Sequence, residues 1–376
     1  MLKVCLWTNI KSQLNSAFFA AAAADPRLDV RVCYFLPHVT SSRLAQGFLE
    51  EPLAAYECAV QDGRAIDTLR SIPEYRERIH IFSYTFSPEL VQHLVDHGIR
   101  WCHWSEMPGI GLYKLVNFHR LPARMLFPLL RLKYRKMAKM ITAHGLGAFG
   151  IGSCAMRFFE QCGVPEEKTA LLFYGTAPVP TAPPRSELVQ WIAGRTSFVS
   201  VAALNRRKGI DVLLRAVARC DKGCCLVLAG KDQSEGAYPR LVRKLGIEDR
   251  VLFLGPVPAN ELAAVYAAID VMVLASRFDG WGAVLNEAAS AGKPLIATDA
   301  AGASAHLIRE NVNGYRVPAD SVSALAEAIS HYAGNPELVK AHGAASKVLY
   351  DSEFSPQCNV DGLVRALERW CCASAN

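Results

Sequence analysis

The amino-acid sequence predicts an α/β protein with two domains, each built on a parallel β-sheet. Short apolar runs alternate with segments of helical periodicity along the chain, which is the pattern of repeated βαβ units. The chain has 376 residues, more than one hydrophobic core usually spans. Four of the ten residues at 175–184 are proline, which excludes a regular helix or a central strand, so this stretch is predicted to link the domains.

Eleven segments are predicted as strands because each is a short apolar run next to turn residues or a helical pattern. In chain order they are 4–7, 30–35, 79–82, 101–104, 148–151, 170–173, 198–202, 225–229, 251–254, 271–274 and 294–298. The first six are assigned to a domain at residues 1–175 and the other five to a domain at 195–357, with a linker at 176–194. Residues 358–376 are predicted to form a helix that packs back on the first domain. Ligands of such sheets bind beyond the carboxyl ends of the strands.

The composition is that of a globular protein and excludes several other classes. With 51% hydrophobic and 20% charged residues, the chain has enough apolar material for buried cores and is not of the disordered type. The twelve cysteines are scattered without a Cys-x-x-Cys pair, so they are predicted to be reduced thiols rather than zinc ligands or a disulfide framework. The start of the sequence resembles a strand rather than a signal peptide, and the longest apolar run, 17–24, is too short to cross a bilayer. These features predict a cytoplasmic protein.

Positive charge is concentrated in one part of the N-terminal half. A net charge of +6 does not indicate nucleic-acid binding, but residues 107–159 hold nine Lys or Arg and no Asp or Glu. At helical spacing, the apolar residues of this stretch fall on one face and its basic residues on the other. The apolar positions are Leu130, Tyr134, Met137 and Ile141, and the basic positions are Arg131, Arg135, Lys136 and Lys139. We expect the basic face to contact an anionic membrane surface from the cytoplasmic side, the alternative being a solvated helix face.

The clearest candidate ligand site is the segment 276–302. A predicted strand, 271–274, leads into a loop with Gly280 and Gly282, which is followed by a helix. Backbone N–H groups at such a helix start can bind phosphate. Asp279 and Glu287 lie eight residues apart in this loop and helix, so both carboxylates can line one ligand.

This segment resembles the signature of glycosyltransferase family 4, retaining enzymes of the GT-B fold, in which two acidic residues bracket a glycine-rich turn before a helix. Asp279 stands where most members of the family have Glu. The resemblance covers the C-terminal half and extends more loosely into the N-terminal half. It implies two Rossmann-like domains that face each other across a central cleft. It also implies transfer of a sugar from a nucleotide diphosphate sugar to a glycan or lipid-linked acceptor, in polysaccharide or glycolipid synthesis.

The resemblance also assigns roles to individual residues. Residues 205–217 resemble the Lys-Gly turn of the family, so Lys208 is the expected diphosphate contact, assisted by Arg206 or Arg207, whereas the Arg that many members carry five residues earlier is Ala203. Asp279 is expected to bind the donor sugar and Glu287 the ribose. The other expected donor contacts are Gly280, Trp281, Gly282, Ala283, Val284 and Val257. His103 corresponds to a histidine that some relatives place near the donor sugar, although a buried, hydrogen-bonded histidine is an equal alternative.

The expected chemistry needs positive charge at the departing β-phosphate, which Lys208 and the helix start at Gly282 would supply. No two aspartates are two positions apart, so the Asp-x-Asp motif of metal-dependent transferases is missing, and neither a metal nor another cofactor is expected. Solvated or structural roles are the alternatives for Lys208, Asp279 and Glu287. For the whole chain, the alternative is a catalytically inert nucleotide-sugar-binding partner of another transferase. A nicotinamide-dependent oxidoreductase is excluded because no Gly-x-Gly-x-x-Gly motif follows a predicted strand.

Overall fold

The computed structural model describes residues 1–36, 38–39, 41–44, 50–61, 63–83, 87–107 and 123–373, with no side-chain detail at 42–43 and 123–129. The basic residues at 114 and 120 and the last three residues of the predicted C-terminal helix lie outside these ranges. The chain divides into two compact units. The first unit comprises Met1–Val39, Glu50–Thr176 and Pro356–Asn376, and the second comprises Thr40–Leu49 and Ala177–Ser355.

The first unit is built on a parallel sheet of seven strands in the order β3-β2-β1-β4-β5-β6-β7. Its strands are β1 (Leu2–Thr8), β2 (Leu28–Tyr34), β3 (Glu57–Ala59), β4 (Ile79–Phe82), β5 (Trp101–Ser105), β6 (Gly147–Gly150) and β7 (Thr169–Leu171). Its helices before the C-terminal segment are α1 (Ser16–Ala24), α3 (Ala65–Ser71), α4 (Pro88–Asp96), α5 (Ala123–His144) and α6 (Ser153–Cys162). Helix α2 (Ser41–Leu44) follows β2 in the chain but belongs to the second unit. The central strands are buried on both faces, as expected of a parallel sheet between helix layers.

The second unit is built on a parallel sheet of six strands in the order β10-β9-β8-β11-β12-β13. Its strands are β8 (Thr196–Val201), β9 (Cys224–Ala229), β10 (Val251–Gly255), β11 (Val271–Leu274), β12 (Leu295–Thr298) and β13 (Gly314–Val317). The helices are α7 (Ser186–Ile192), α8 (Ile210–Arg219), α9 (Ala237–Leu245), α10 (Leu262–Ala268), α11 (Val284–Ser290), α12 (Ser304–Leu307), α13 (Val322–Tyr332) and α14 (Pro336–Leu349). The strand order reverses between β8 and β11, so the carboxyl ends of these two strands flank the position where such sheets bind ligands.

Both sheets confirm the predicted α/β fold class. All eleven predicted strands are present, with ends that differ from the prediction by at most two residues. Two strands, β3 and β13, were missed. The first is only three residues long and begins with Glu57, and the second combines Gly314 with an exposed Arg316, so neither contains an apolar run. Both are edge strands, whose pairing depends on a neighbour rather than on their own composition.

The last helix, α15 (Pro356–Ala373), belongs to the first unit. Asp361 accepts a hydrogen bond from the Arg27 guanidinium at 2.5 Å, and Asn359 accepts one from the backbone N–H of Phe173 at 3.0 Å. The Trp370 ring packs on Phe149 of β6, with a centroid separation of 4.8 Å. The helix is thus part of the packed layer of the first unit. Among the described residues, no helix is both long enough and apolar enough to span a membrane.

Candidate functional site

The site is centred on the loop between β11 and α11, and backbone hydrogen bonds fix the shape of this loop. The N–H of Asp279 donates to the carbonyl of Ala300 at 3.0 Å, and the N–H of Gly302 donates back to the carbonyl of Asp279 at 3.1 Å. The N–H of Ala303 donates to the carbonyl of Trp281 at 2.8 Å. The loop after β11 is therefore tied to the loop after β12, and Asp279 is held at the carboxyl ends of two neighbouring strands.

Two glycines of this segment have structural reasons, the backbone conformation at Gly282 and the close approach of another backbone segment at Gly302. Gly282 has φ +97°, and a Cβ on it would lie 2.8 Å from Cδ2 of Leu274. A Cβ at Gly302 would lie 2.3 Å from the carbonyl oxygen of Gly280. The glycines of the predicted signature thus have a structural reason that does not depend on any ligand.

The Lys-Gly turn after β8 brings Lys208 to the same loop. The carboxamide of Asn205 accepts a hydrogen bond from the Lys208 N–H at 3.2 Å and begins a short turn over Arg206–Lys208. Gly209 follows with φ +66°, where a Cβ would lie 1.9 Å from the carbonyl oxygen of Ala275. The turn is consequently pressed against the end of β11, which fixes the start of the Lys208 side chain.

Lys208 and Asp279 form a close ion pair. Nζ of Lys208 lies 2.5 Å from Oδ2 of Asp279, and the two side chains are 12% and 13% exposed. Nη1 of Arg207 lies 3.8 Å from the other carboxylate oxygen, Oδ1, and donates a hydrogen bond to the carbonyl of Phe278 at 3.0 Å. Arg206 is exposed beside them. Because Lys208 and Arg207 share the single carboxylate of Asp279, this cluster carries net positive charge and suits an anionic ligand.

Arg277 supports this cluster and was not found from the sequence. Its guanidinium pairs with both carboxylate oxygens of Asp211 at 2.7 and 2.9 Å and with Asp320 at 2.6 Å. Its backbone N–H donates to the carbonyl of Arg207 at 2.7 Å. The charge of Arg277 is thus compensated, and its role is to join the two loops. An arginine of this kind looks like a solvated one in sequence, because both of its acidic partners lie more than 40 residues away.

Glu287 is the fourth residue of α11 and has a second unpredicted partner. The hydroxyl of Tyr266, on α10, donates to Oε2 of Glu287 at 3.1 Å. Burial raises the pKa of Glu287 to about 7, and the Tyr266 hydrogen bond acts in the opposite direction. The carboxyl group is therefore close to its midpoint of ionisation at neutral pH.

The remaining residues predicted to contact the donor differ in how far their side chains are exposed. The Trp281 indole is 1% exposed, donates from Nε1 to Asn286 at 2.9 Å and packs near His306, so it is a core side chain. Val257 is buried in the loop after β10. Ala283 and Val284 are partly exposed at the start of α11. The structure thus joins Arg207, Lys208 and Asp279 directly and places Glu287 on the helix that follows their loop.

His103 lies in the first unit and is buried. Its imidazole is 1% exposed and packs edge-on against Phe159, with centroids 5.1 Å apart. Nε2 lies 2.9 Å from the Ser105 hydroxyl, which itself donates to the carbonyl of Glu106, so the ring nitrogen is the donor. Burial lowers the pKa of His103 to about 3, which keeps the ring neutral. The structure agrees with the alternative of a buried, hydrogen-bonded histidine.

The basic helix has the amphipathic split that its periodicity predicts. Met137 and Ile141 of α5 are buried in the first unit. Arg135, Lys136 and Lys139 are exposed and line a surface depression of about 890 Å³. Arg131 differs from the other three, because it is partly buried and donates to the Gln161 side chain at 2.5 Å. Lys133 is also exposed on this helix, so four cations carry its exposed charge, and three of them line the depression.

No cluster of three His, Cys, Asp or Glu side chains that could hold a metal ion occurs within the described ranges. The positive charge at the Asp279 loop comes from Lys and Arg side chains.

Comparison with known proteins identifies relatives of the second unit. The family model described as "Glycosyl transferases group 1" matches residues 190–349. The D-inositol 3-phosphate glycosyltransferase of Streptomyces griseus is 34% identical over 175 residues, which are 43% of this chain and 35% of that protein. The GDP-mannose-dependent alpha-(1-6)-phosphatidylinositol monomannoside mannosyltransferase of Mycobacterium tuberculosis is 33% identical over 167 residues, which are 41% of this chain and 42% of that protein. The matches therefore span well under half of either relative.

A solved structure is similar over nearly the whole chain. Anabaena HepE, in complex with UDP, superposes with a TM-score of 0.73 at 16% identity, covering 97% of this chain and 99% of that one. At this identity the similarity shows a shared fold.

Proposed function

We propose that this chain is a glycosyltransferase of the group whose family model matches residues 190–349, and that it transfers a sugar from a nucleotide diphosphate sugar to a glycan or lipid-linked acceptor. The observation that carries the proposal is the contact of Lys208 with Asp279 at the carboxyl ends of β8 and β11. This ion pair supports a role for Lys208 at the diphosphate and for Asp279 at the sugar.

Lys208 would stabilise the leaving group. In the reaction the bond between the anomeric carbon and the β-phosphate oxygen breaks, and negative charge collects on that phosphate. An ammonium group has three N–H donors, so Lys208 can keep Asp279 and still donate to a phosphate oxygen. A charged donor already fixed in place stabilises this charge without reorganisation. Arg207 and Arg206 add positive charge beside it.

The two carboxylates would orient the rest of the donor. Asp279 accepts hydrogen bonds from sugar hydroxyls, and Oδ1, at 3.8 Å from Arg207, has room for one. Glu287 accepts from the ribose hydroxyls. The acceptor hydroxyl attacks from the side of the leaving group, its proton passes to the departing phosphate oxygen, and the anomeric configuration is retained. Metal independence is part of the proposal, supported by Lys208 and Arg207 at the loop and by the missing Asp-x-Asp motif.

The names of the relatives agree with a donor of this class. One relative is named for GDP-mannose, and HepE was solved with UDP. The phosphatidylinositol mannoside acceptor named for that relative, together with the exposed Arg135, Lys136 and Lys139, supports a lipid-linked acceptor reached from the cytoplasmic face of a membrane. The role in cell-surface polysaccharide or glycolipid synthesis is proposed on the same grounds.

Ligand-induced stabilisation followed by an activity assay tests the proposal. A nucleotide sugar at 100 times its Kd should stabilise the full chain by about 2.7 kcal/mol, and UDP and GDP sugars are the first probes. The best donor is then tested for hydrolysis and transfer without added metal. Glu287→Gln should weaken binding of both bare nucleotide and donor, whereas Asp279→Asn should spare the bare nucleotide and reduce turnover.

The outcomes separate the proposal from its competitor. Failure of every nucleotide to stabilise the chain would overturn both readings of the site. Binding of a donor with neither hydrolysis nor transfer would favour a catalytically inert partner of another transferase. The specific observations behind that candidate are Asp279 in place of Glu and Ala203 in place of Arg.

A further inference from the structure

Tyr266 is a buried polar side chain to which neither the sequence nor the comparisons assign a role. It lies on α10 and is 1% exposed. Its hydroxyl donates to Oε2 of Glu287 at 3.1 Å, which is the one hydrogen bond of this hydroxyl within the described part of the chain. A buried tyrosine hydroxyl needs such a partner, and this hydrogen bond joins helices α10 and α11.

The hydrogen bond fixes one oxygen of the Glu287 carboxylate and leaves the other available. In the described structure, Oε1 of Glu287 has no protein hydrogen-bond partner. The backbone of the same turn is fixed separately. The Ser290 hydroxyl donates to the Glu287 carbonyl at 2.7 Å and accepts from the Val179 N–H at 2.9 Å. Backbone and side chain of Glu287 are thus both held, and the free oxygen has a defined direction.

We propose that Tyr266 is a positioning residue for the nucleotide site: it holds Oε2 of Glu287 so that Oε1 accepts the ribose hydroxyls of the donor. This inference rests on the proposed function, since it takes Glu287 as the ribose contact. A tyrosine suits the task because it has only two side-chain torsions and its ring is locked by packing. The flexible glutamate is then ordered before the ligand arrives, which lowers the entropic cost of binding.

The same hydrogen bond affects the charge of the carboxylate. Burial raises the pKa of Glu287, and a donor to its ionised form lowers it, so Tyr266 keeps part of the population ionised at neutral pH. Besides α10, the elements packed on α11 are β11, β12, α12, α14 and the turn at 350–354. Most of their titratable side chains have other partners or are exposed: His306 on Trp281, His342 on Tyr332, Lys347 on Asp351, Glu353 on Arg309, and the exposed Glu337 and Lys340. The remaining one is Tyr350, which is buried in the segment 350–354.

The test is the pH dependence of nucleotide affinity. UDP and GDP are titrated by calorimetry between pH 5.5 and 9 into the full-length parent, Tyr266→Phe and Glu287→Gln. We expect the parent affinity to rise with pH as Glu287 ionises. Tyr266→Phe should shift the midpoint of this rise upward by about one pH unit, which alone weakens binding about fivefold at pH 7. A smaller loss should remain at pH 9, where the carboxylate is ionised but no longer held in place. Glu287→Gln should bind weakly with no such rise.

Tyr332→Phe is the matched control. Tyr332 is equally buried in the second unit, and its hydroxyl bonds to Nδ1 of His342 at 2.8 Å, away from Glu287. This variant should lose a comparable hydrogen bond and leave the midpoint of the pH curve unchanged. If Tyr266→Phe folds poorly, 3-fluorotyrosine at position 266 keeps the packing and strengthens the donor, and it should lower the midpoint.

Failure of the inference can be distinguished from failure of the proposed function. If the parent binds no nucleotide at any pH, the proposed function itself is wrong. If the parent binds but Tyr266→Phe keeps the parental midpoint, or loses affinity equally at every pH, Tyr266 only fills space and the positioning role is overturned. An unshifted midpoint with 3-fluorotyrosine would overturn it as well.

Discussion

Lys208 holds its ammonium group against Asp279, where any ligand must compete for it or share it. Lys208→Ala should weaken nucleotide diphosphate binding by about 1.5–3 kcal/mol, the usual worth of a hydrogen bond to a charged group, or about ten- to a hundredfold in Kd. The variant also leaves Asp279 without its closest cation, which adds repulsion toward phosphate. Calorimetric titration measures the change, with the exposed Lys222→Ala as control. Equal donor affinity in both variants would remove Lys208 from the site.

Glu287 should make stability depend on pH in a definite direction. Its folded-state pKa of about 7 lies above the ordinary 4.5, so between these values the folded chain keeps a proton that the unfolded chain releases. Raising the pH through this window therefore destabilises the folded state, and the effect is complete above about pH 7. Relative to the parent, Glu287→Gln should gain thermal midpoint as the pH rises from 4.5 to 7. The exposed Glu327→Gln should follow the parent, and a Glu287→Gln difference independent of pH would contradict the argument.

The residues of the site differ in how far sequence reveals them. Lys208, Asp279 and Glu287 were predicted because they lie in two glycine-containing segments that resemble motifs of the family, and such motifs are local in sequence. Arg277 and Tyr266 were not, since their roles come from Asp211, Asp320 and Glu287, partners that only the fold brings near. The Trp281 indole was predicted as a donor contact, but the pattern does not reveal that Asn286 draws it into the core. Whether a loop side chain points into the core or toward a ligand depends on tertiary contacts that the local sequence does not show.

At the scale of elements, the Lys-Gly turn can pack against the end of β11 because Gly209 has no side chain. Gly209→Ala should cost about 1 kcal/mol for the left-handed backbone and a further 1–3 kcal/mol, roughly, for the contact of its Cβ with the Ala275 carbonyl. Gly246→Ala is the matched control, because Gly246 has φ +64° but nothing within 4 Å of a built Cβ. The difference in thermal midpoint between the two variants isolates the close approach. Equal midpoints would show that the turn moves away at little cost.

The central strands of the two sheets could be predicted from the sequence, whereas the edge strands β3 and β13 could not. Strands such as β11, whose residues Val271–Leu274 are buried on both faces, can be predicted from their unbroken apolar runs. The edge strands β3 and β13 pair on one side only and carry polar residues, so their assignment needs the neighbouring strand. Local sequence thus predicts the central strands, whereas the number of strands in each sheet depends on tertiary contacts.

At the scale of the whole molecule, we predict reversible, salt-sensitive binding to anionic vesicles through the basic face of α5. Replacing Arg131, Arg135, Lys136 and Lys139 by Ser should reduce vesicle sedimentation and activity on a lipid-linked acceptor while donor binding is unchanged. Because Arg131 also holds Gln161, the triple variant at Arg135, Lys136 and Lys139 separates charge from packing. At about 1 kcal/mol for each cation, this triple variant should lose more than a hundredfold in vesicle partitioning.

A charge-matched control for vesicle binding exists in the second unit. Lys222, Arg243 and Lys244 are exposed there, and their replacement by Ser removes the same net charge from another surface. Sedimentation should stay close to that of the parent. If the α5 triple variant pellets with anionic vesicles as well as the parent at low salt, the basic face is a solvated surface and the membrane role is wrong.

The return of α15 to the first unit has a consequence for biosynthesis. The first unit contains both ends of the chain, and Ala177–Ser355 of the second unit are translated between its two parts. At 5–20 residues per second, roughly 10–35 s separate the emergence of β7 from that of α15. During that time Phe149 and the α1 surface that α15 will cover lack their partner, whereas the second unit can already close its own sheet. On the ribosome, the first unit is therefore completed only after the second.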